Sequence, residues 1–143
     1  TAENLKVMVG SAFPSESEKE VTSLSVRGRD LVTGLPQSID ITTEHVYEAI
    51  QESLMEVIMC IKMVLEKTPP ELSGDIIEKG IVLTGGGAQL EGLERLVSQH
   101  TGVPAFIAED PVSCVAKGAG KVLEHLDQLI PSLITRKRMA VMG

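Results

Sequence analysis

The chain has 143 residues, 43% of them hydrophobic but only 2% aromatic, and a formal net charge of −7. That is the size of one ordinary domain, able to bury roughly 68–70% of its unfolded surface around an aliphatic core without disulfides or a metal. Residues 1–128 hold 10 basic and 20 acidic side chains, while Arg136, Lys137 and Arg138 leave the tail at +3; an acidic body excludes general nucleic-acid binding, which relies on clustered Lys and Arg. The basic tail reads as a solvated terminus or as a contact for acidic lipid or an acidic partner. No apolar run approaches the ~20 residues of a membrane span, and no signal peptide is present. The chain opens on Thr1 rather than Met, which is expected of a fragment or a processed product.

In chain order, residues 2–10 predict a short helix with Leu5, Met8 and Val9 on one face, closed by Gly10. A polar, charged loop follows. Residues 21–27 and 37–42 alternate apolar and polar, with Val26, Ile39 and Ile41 pointing inward, and predict two antiparallel strands joined by a long Gly- and Pro-containing connection. From Glu44 to Lys67 the period changes to 3.6, with a stripe through Tyr47, Ile50, Leu54, Val57, Ile58 and on to Leu65, and Thr42 or Thr43 as cap. Thr68 predicts a second cap, with Pro69 at the first helical position and Glu71 completing a capping box, for a helix ending at Gly80. The last third alternates strand and helix. Strands are expected at 81–84 and 103–108, a helix at 89–100 with Leu90, Leu93, Leu96 and Val97 inward, and a helix from Asp110-Pro111 to about Leu126. The expected units are residues 1–10, a small strand-rich unit at 11–43, an α/β unit at 44–128 and a tail at 129–143 that folding does not need.

The sharpest local feature is Ile81-Val82-Leu83-Thr84-Gly85-Gly86-Gly87, a strand running into three glycines and then a helix. Glycines allow close backbone approach to a ligand, and a helix start offers free N–H groups to phosphate. The same pattern also serves as a plain tight turn. Gly118-Ala119-Gly120-Lys121 resembles the end of a phosphate-binding loop, but Val115 and Val122 stand where that motif needs Gly and Ser or Thr. Those two glycines are expected to let a helix pack closely. His45, His100 and His125 lie far apart at helix ends and read as surface groups. Cys60 and Cys114 form no metal-ligand spacing and read as buried small hydrophobes. No arrangement predicts a complete catalytic centre or a metal site.

Arg27-Gly28-Arg29-Asp30-Leu31-Val32-Thr33-Gly34-Leu35-Pro36 resembles a stretch of the MreB/Mbl family of bacterial actin-like proteins. So do Leu65-Glu66-Lys67-Thr68-Pro69-Pro70-Glu71-Leu72, the glycine segment, and Ala108-Glu109-Asp110-Pro111 followed by Val115-Ala116-Lys117-Gly118. Thr1-Ala2-Glu3 with Lys6 is similar to the family's adenine-side helix. The resemblance covers residues 1–128 in unbroken order, and residues 129–143 have no counterpart. It implies an α/β, actin-like (ribonuclease H-like) ATPase fold, of which this chain supplies part of domain II: subdomain IIB from residues 11–43 and much of IIA from the rest. It implies Glu3 and Lys6 beside adenine and ribose, a loop of Gly85, Gly86 and Gly87 with Gln89 nearby, and ATP with Mg²⁺ as the ligand of the intact protein, bound weakly or not at all by the fragment.

The implied function is a cytoplasmic cytoskeletal protein under the inner bacterial membrane. It would form head-to-tail filaments and direct cell-wall synthesis through membrane-protein partners. Membrane contact would come through an N-terminal part not in this sequence. Slow turnover would belong to the intact protein, because the aspartates for phosphate and metal and the water-activating glutamate lie mostly in N-terminal segments. The alternatives are another actin-superfamily ATPase, such as a DnaK-type chaperone or a sugar kinase, and an interaction module that binds no nucleotide. The Arg27–Pro36 stretch disfavours the first.

Overall fold

The computed structural model describes residues 2–13 and 22–125. The charged run at Glu16, Glu18 and Glu20, the expected helix end at Leu126 and the tail at 129–143 lie outside these residues.

The first helix, α1 (Ala2–Val9), carries Glu3 in its first turn and Lys6 in its last, the arrangement its dipole favours. Val9 is its buried anchor, Leu5 is half-buried, and Met8, expected inward, is 46% exposed. Beyond Gly10 the chain dives beneath the later elements. Ser11 and Ala12 are buried, and the Ala12 N–H donates to the Glu91 carbonyl at 2.8 Å.

Strands β1 (Ser23–Arg29) and β2 (Pro36–Thr42) form an antiparallel ribbon in the register Ser23↔Thr42 to Arg29↔Pro36. The ladder runs through Gly28 and Arg29, so the connection is shorter than the sequence suggests. Leu24, Val26 and Ile41 are half-buried, but Ile39 is 53% exposed. A two-stranded ribbon has only the neighbouring helices to cover it, and they leave Ile39 open to solvent.

Helix α2 (Thr43–Glu66) is the longest element. Thr42 caps it: its Oγ1 accepts from the His45 N–H at 3.3 Å, and the Thr42 N–H donates to His45 Nδ1 at 3.2 Å. Histidine thus fills the place that Glu or Gln usually takes in a capping box. Thr43 ties the helix start to β1, its N–H donating to the Thr22 carbonyl at 3.0 Å. Val46, Leu54 and Ile58 are buried. Val64, part of the expected stripe, is 67% exposed. Cys60, expected inside, is exposed on the same helix, and Cys114 is half-buried.

Helix α3 (Pro70–Lys79) starts one residue later than expected. Pro69 precedes another proline, which excludes it from the helical region; it is extended, at ψ 145°, and Pro70 becomes the first helical residue. Thr68 therefore does not cap α3. Its hydroxyl donates back to the Val64 carbonyl at 2.7 Å and closes α2, while Glu71 completes no capping box. Gly80 ends α3 at φ 81°, where a Cβ would meet the Phe106 ring at 2.6 Å and the Pro104 carbonyl oxygen at 2.7 Å.

Strands β3 (Ile81–Leu83) and β4 (Ala105–Ile107) pair in parallel, joined by a crossover that contains α4 (Leu93–Thr101). Before α4 the chain makes a 3₁₀ turn at Gly86–Gln89, so the helix begins later than residue 89. Leu96 and Val97 are buried, with Leu90 and Leu93 partly so, as the periodicity predicts. They meet Ala12, Leu54, Ile58 and Ala105 in the core.

Helix α5 (Cys114–Glu124) begins after a turn rather than at Asp110-Pro111. That turn is held by Asp110, whose carboxylate pairs with Lys117 Nζ at 2.7 Å and whose carbonyl accepts from Ser113 N–H and Cys114 Sγ. Gly118 and Gly120 do not mediate close packing. Both are exposed, and a Cβ on either would meet no atom within 4 Å.

Candidate functional site

One pocket of ≈ 500 Å³ lies where α1, α2, the end of β3 and the glycine turn converge. Volumes of this order suit a small-molecule ligand. Glu3 and Lys6 of α1 stand on its rim as an i,i+3 ion pair at 2.9 Å, both well exposed. Exposed pairs of this kind add little stability, so both groups are free to exchange partners with a ligand. Gly86, Gly87 and Gln89 form another side, and Ile50, Ser53, Leu54 and Val57 of α2 form a largely apolar wall.

Five of the six residues singled out from the sequence, Glu3, Lys6, Gly86, Gly87 and Gln89, therefore line one pocket, although more than 75 residues separate the two groups. Gly85 is not among the lining residues. Its N–H donates to the Pro111 carbonyl at 2.7 Å, and its backbone sits at φ 87°, ψ 170°, a region essentially reserved for glycine. It sets the direction of the turn that Gly86 and Gly87 present. A Cβ at either of those two would point into open space.

The α2 wall was not legible as a binding surface. Ile50 and Val57 lie on the stripe that reads as core, yet Val57 is 48% exposed and faces the pocket. Seven-residue spacing puts residues on one helix face whether protein or ligand covers it. Thr84, which closes the β3 segment, also lines the pocket. An apolar wall, a polar rim and side-chain-free backbone together suit a flat ring system bearing polar substituents.

A second ordered feature lies at the end of the β1–β2 ribbon. Asp30 Oδ1 accepts from the Val32 and Thr33 N–H groups at 2.8 and 2.7 Å, and Arg29 Nε donates to the Gly34 carbonyl at 2.8 Å. The backbone N–H of Thr33, then that of Val32, holds the Asp30 carboxyl below its usual value. Leu31 and Val32 are almost fully exposed at the tip.

The sequence profile of the MreB/Mbl protein family matches residues 1–131. The cell shape-determining protein Mbl of Bacillus subtilis is 46% identical over 129 residues, covering 90% of this chain and 38% of that protein. The cell shape-determining protein MreB of Escherichia coli is 46% identical over 127 residues, covering 89% and 36%. Crystal structures of MreB5 of Spiroplasma citri bound to ADP and to AMPPNP each superpose with a TM-score of 0.82 at 30% identity, over 92% of this chain and 39% of theirs. The chain thus spans little more than a third of the length of these relatives. No helix among the described residues is long and apolar enough to cross a membrane. With the profile matching nearly the whole chain and the fold forming part of an actin-like α/β domain, the chain belongs to the MreB/Mbl family.

Proposed function

We infer that the intact protein is a bacterial actin-like cytoskeletal protein that binds ATP in this pocket. It assembles into head-to-tail filaments at the inner face of the membrane and directs cell-wall synthesis through membrane-protein partners, maintaining cell shape. The observation that carries this reading is the convergence of Glu3, Lys6 and the glycine turn on one pocket, in a fold shared with MreB5 structures bound to ADP and AMPPNP. Relatives named for cell-shape determination support the cellular role.

In this reading Lys6 and Glu3 hold the ribose, Gly86 and Gly87 let backbone approach the nucleoside, and Ile50 and Val57 cover the base. Glu3 is the one carboxylate among the described lining residues, and it is paired with Lys6. Mg²⁺ and the phosphates would therefore be held by groups supplied elsewhere in a longer chain. Electrostatic stabilisation of phosphoryl transfer needs such preorganised charge.

Titration of a fluorescent ATP analogue, competed with unlabelled ATP, tests the reading. A chain extended to the length of its relatives should bind at least about tenfold more tightly than these 143 residues, a difference of roughly 1.4 kcal/mol. Saturable phosphate release from the 143 residues alone would contradict the division of labour. Absence of ATP binding by the extended chain would leave an interaction module as the better reading.

A further inference from the structure

The glycine turn is held from outside the pocket. Two backbone bonds brace the exit of β3 against the segment that follows β4. The Ala108 N–H donates to the Leu83 carbonyl at 3.0 Å, and the Gly85 N–H donates to the Pro111 carbonyl at 2.7 Å. Leu83, Thr84, Gly86 and Gly87 line the pocket, whereas residues 108–111 do not. This part of the pocket therefore takes its position from a segment that a ligand in the pocket would not touch.

That segment has its own anchor in Asp110. The Asp110 carbonyl accepts from the Ser113 N–H at 3.2 Å and from the Cys114 thiol at 3.1 Å, and its carboxylate meets Lys117 Nζ at 2.7 Å. Lys117 lies one turn into α5, and its own N–H donates to the Ser113 carbonyl at 2.9 Å. The Lys117 ammonium, then the Ser113 side chain, holds the Asp110 carboxyl below its usual value, so the pair is charged at neutral pH. Asp110 thus ties the turn to the start of α5. Between them Pro111 is buried, and its ring leaves the turn little freedom.

We propose that Asp110 is a positioning residue for the nucleotide: it holds the 110–113 turn against α5, so that the Pro111 carbonyl fixes where the glycine turn stands. This role rests on the reading of the pocket as the nucleotide site. The Asp110–Lys117 pair is exposed, and such pairs add little to global stability. Its loss therefore acts on the place of the turn rather than on the fold as a whole. Gly86 and Gly87 offer a ligand backbone alone, which cannot compensate for a displaced turn by changing rotamer, and hydrogen bonds weaken steeply once their geometry is lost.

Titration of the intact protein, extended to the length of its relatives, with a fluorescent ATP analogue tests the role. Thermal melting and ¹H–¹⁵N spectra of each variant accompany it. Asp110→Ala should weaken binding about fivefold, the equivalent of roughly one hydrogen bond, and melt within about two degrees of the wild type. The Gly85 amide resonance should shift in the nucleotide-free variant, which a general loss of stability does not produce. Lys117→Met leaves every residue of the turn in place and should change both readouts in the same direction. Asp75→Ala removes a comparable exposed pair, with Lys79 on α3 at 3.5 Å, and should change neither. Wild-type affinity in Asp110→Ala would overturn the proposal. So would a loss of affinity that comes only with a matching fall in melting temperature and an unmoved Gly85 resonance. A wild-type protein that binds no nucleotide would remove the pocket reading and this role together, whereas a wild type that binds beside an equally good Asp110→Ala variant would remove the role alone.

Discussion

Gly85 and Gly86 are adjacent and chemically identical, yet the fold asks different things of them. Gly85 occupies a backbone region that side chains avoid, whereas Gly86 has an ordinary φ and open space where a Cβ would go. Gly85→Ala should therefore cost about 1–3 kcal/mol of stability. Thermal melting should register this as a fall of several degrees. Gly86→Val should melt close to the wild type but block backbone approach to a ligand, weakening nucleotide binding about tenfold or more in the extended chain. Equal melting losses for the two variants would show that the turn is not built as described.

Asp30 gives a pH prediction at the same scale. Its folded-state value lies below the usual 3.8 because the carboxylate accepts backbone hydrogen bonds. The ordering it supplies is therefore complete above about pH 4 and is lost as pH falls through the lower folded value. Protection of the Val32 and Thr33 amides, measured against the exchange of an unstructured peptide at the same pH, should fall on acidification in the wild type. That protection should already be lost at neutral pH in Asp30→Ala, with little change in global melting because the loop is exposed.

At the scale of elements, α2 serves three surroundings with three faces. Ile58 enters the core, Leu54 borders both core and pocket, Ile50 and Val57 line the pocket, and Met55, Met59 and Met63 face water. Ile58→Ala should destabilise by about 2–5 kcal/mol through lost burial and a residual cavity. Val64→Ala, on the same predicted stripe but 67% exposed, should stay within about 0.5 kcal/mol. Chemical denaturation of the two variants checks this directly. If both cost the same, the helix is rotated relative to the core. At its C-terminal end α2 hands over to α3 through Pro69 and Pro70, and the second proline, not Thr68, decides where the next helix begins.

Across the whole molecule, the parallel pair β3–β4 is the least finished part. Parallel sheets are normally covered on both faces. Here Ala105 packs inward against Val97 and Leu96, while Val82 and Phe106, partners in the ladder, are 62% and 54% exposed on the other face. The relatives are more than twice as long as the matched region, which gives this face a source of cover. Binding of a hydrophobic dye to the 143-residue chain should exceed that to a chain extended to the relatives' length, and Phe106→Ser should reduce it in the short chain. Equal dye binding by both lengths would mean that the sheet face stays open in the longer protein.

The sequence by itself determined the family, the order and type of every described α-helix and β-strand, the core residues of α4 and the closing glycine at Gly80. These follow from local causes: 3.6-residue periodicity, strand alternation and backbone conformations that glycine adopts most easily. It also singled out five residues that share the pocket, through motif resemblance rather than spacing. The tertiary structure alone decided which apolar face of α2 meets protein, ligand space or water, because periodicity marks a face without naming what covers it. It also decided that Ile39, Cys60, Gly118 and Gly120 lie exposed, and that Gly85 answers to Pro111, 26 residues away, rather than to the pocket. Such outcomes depend on which elements come together in space, and no local pattern of residues encodes that.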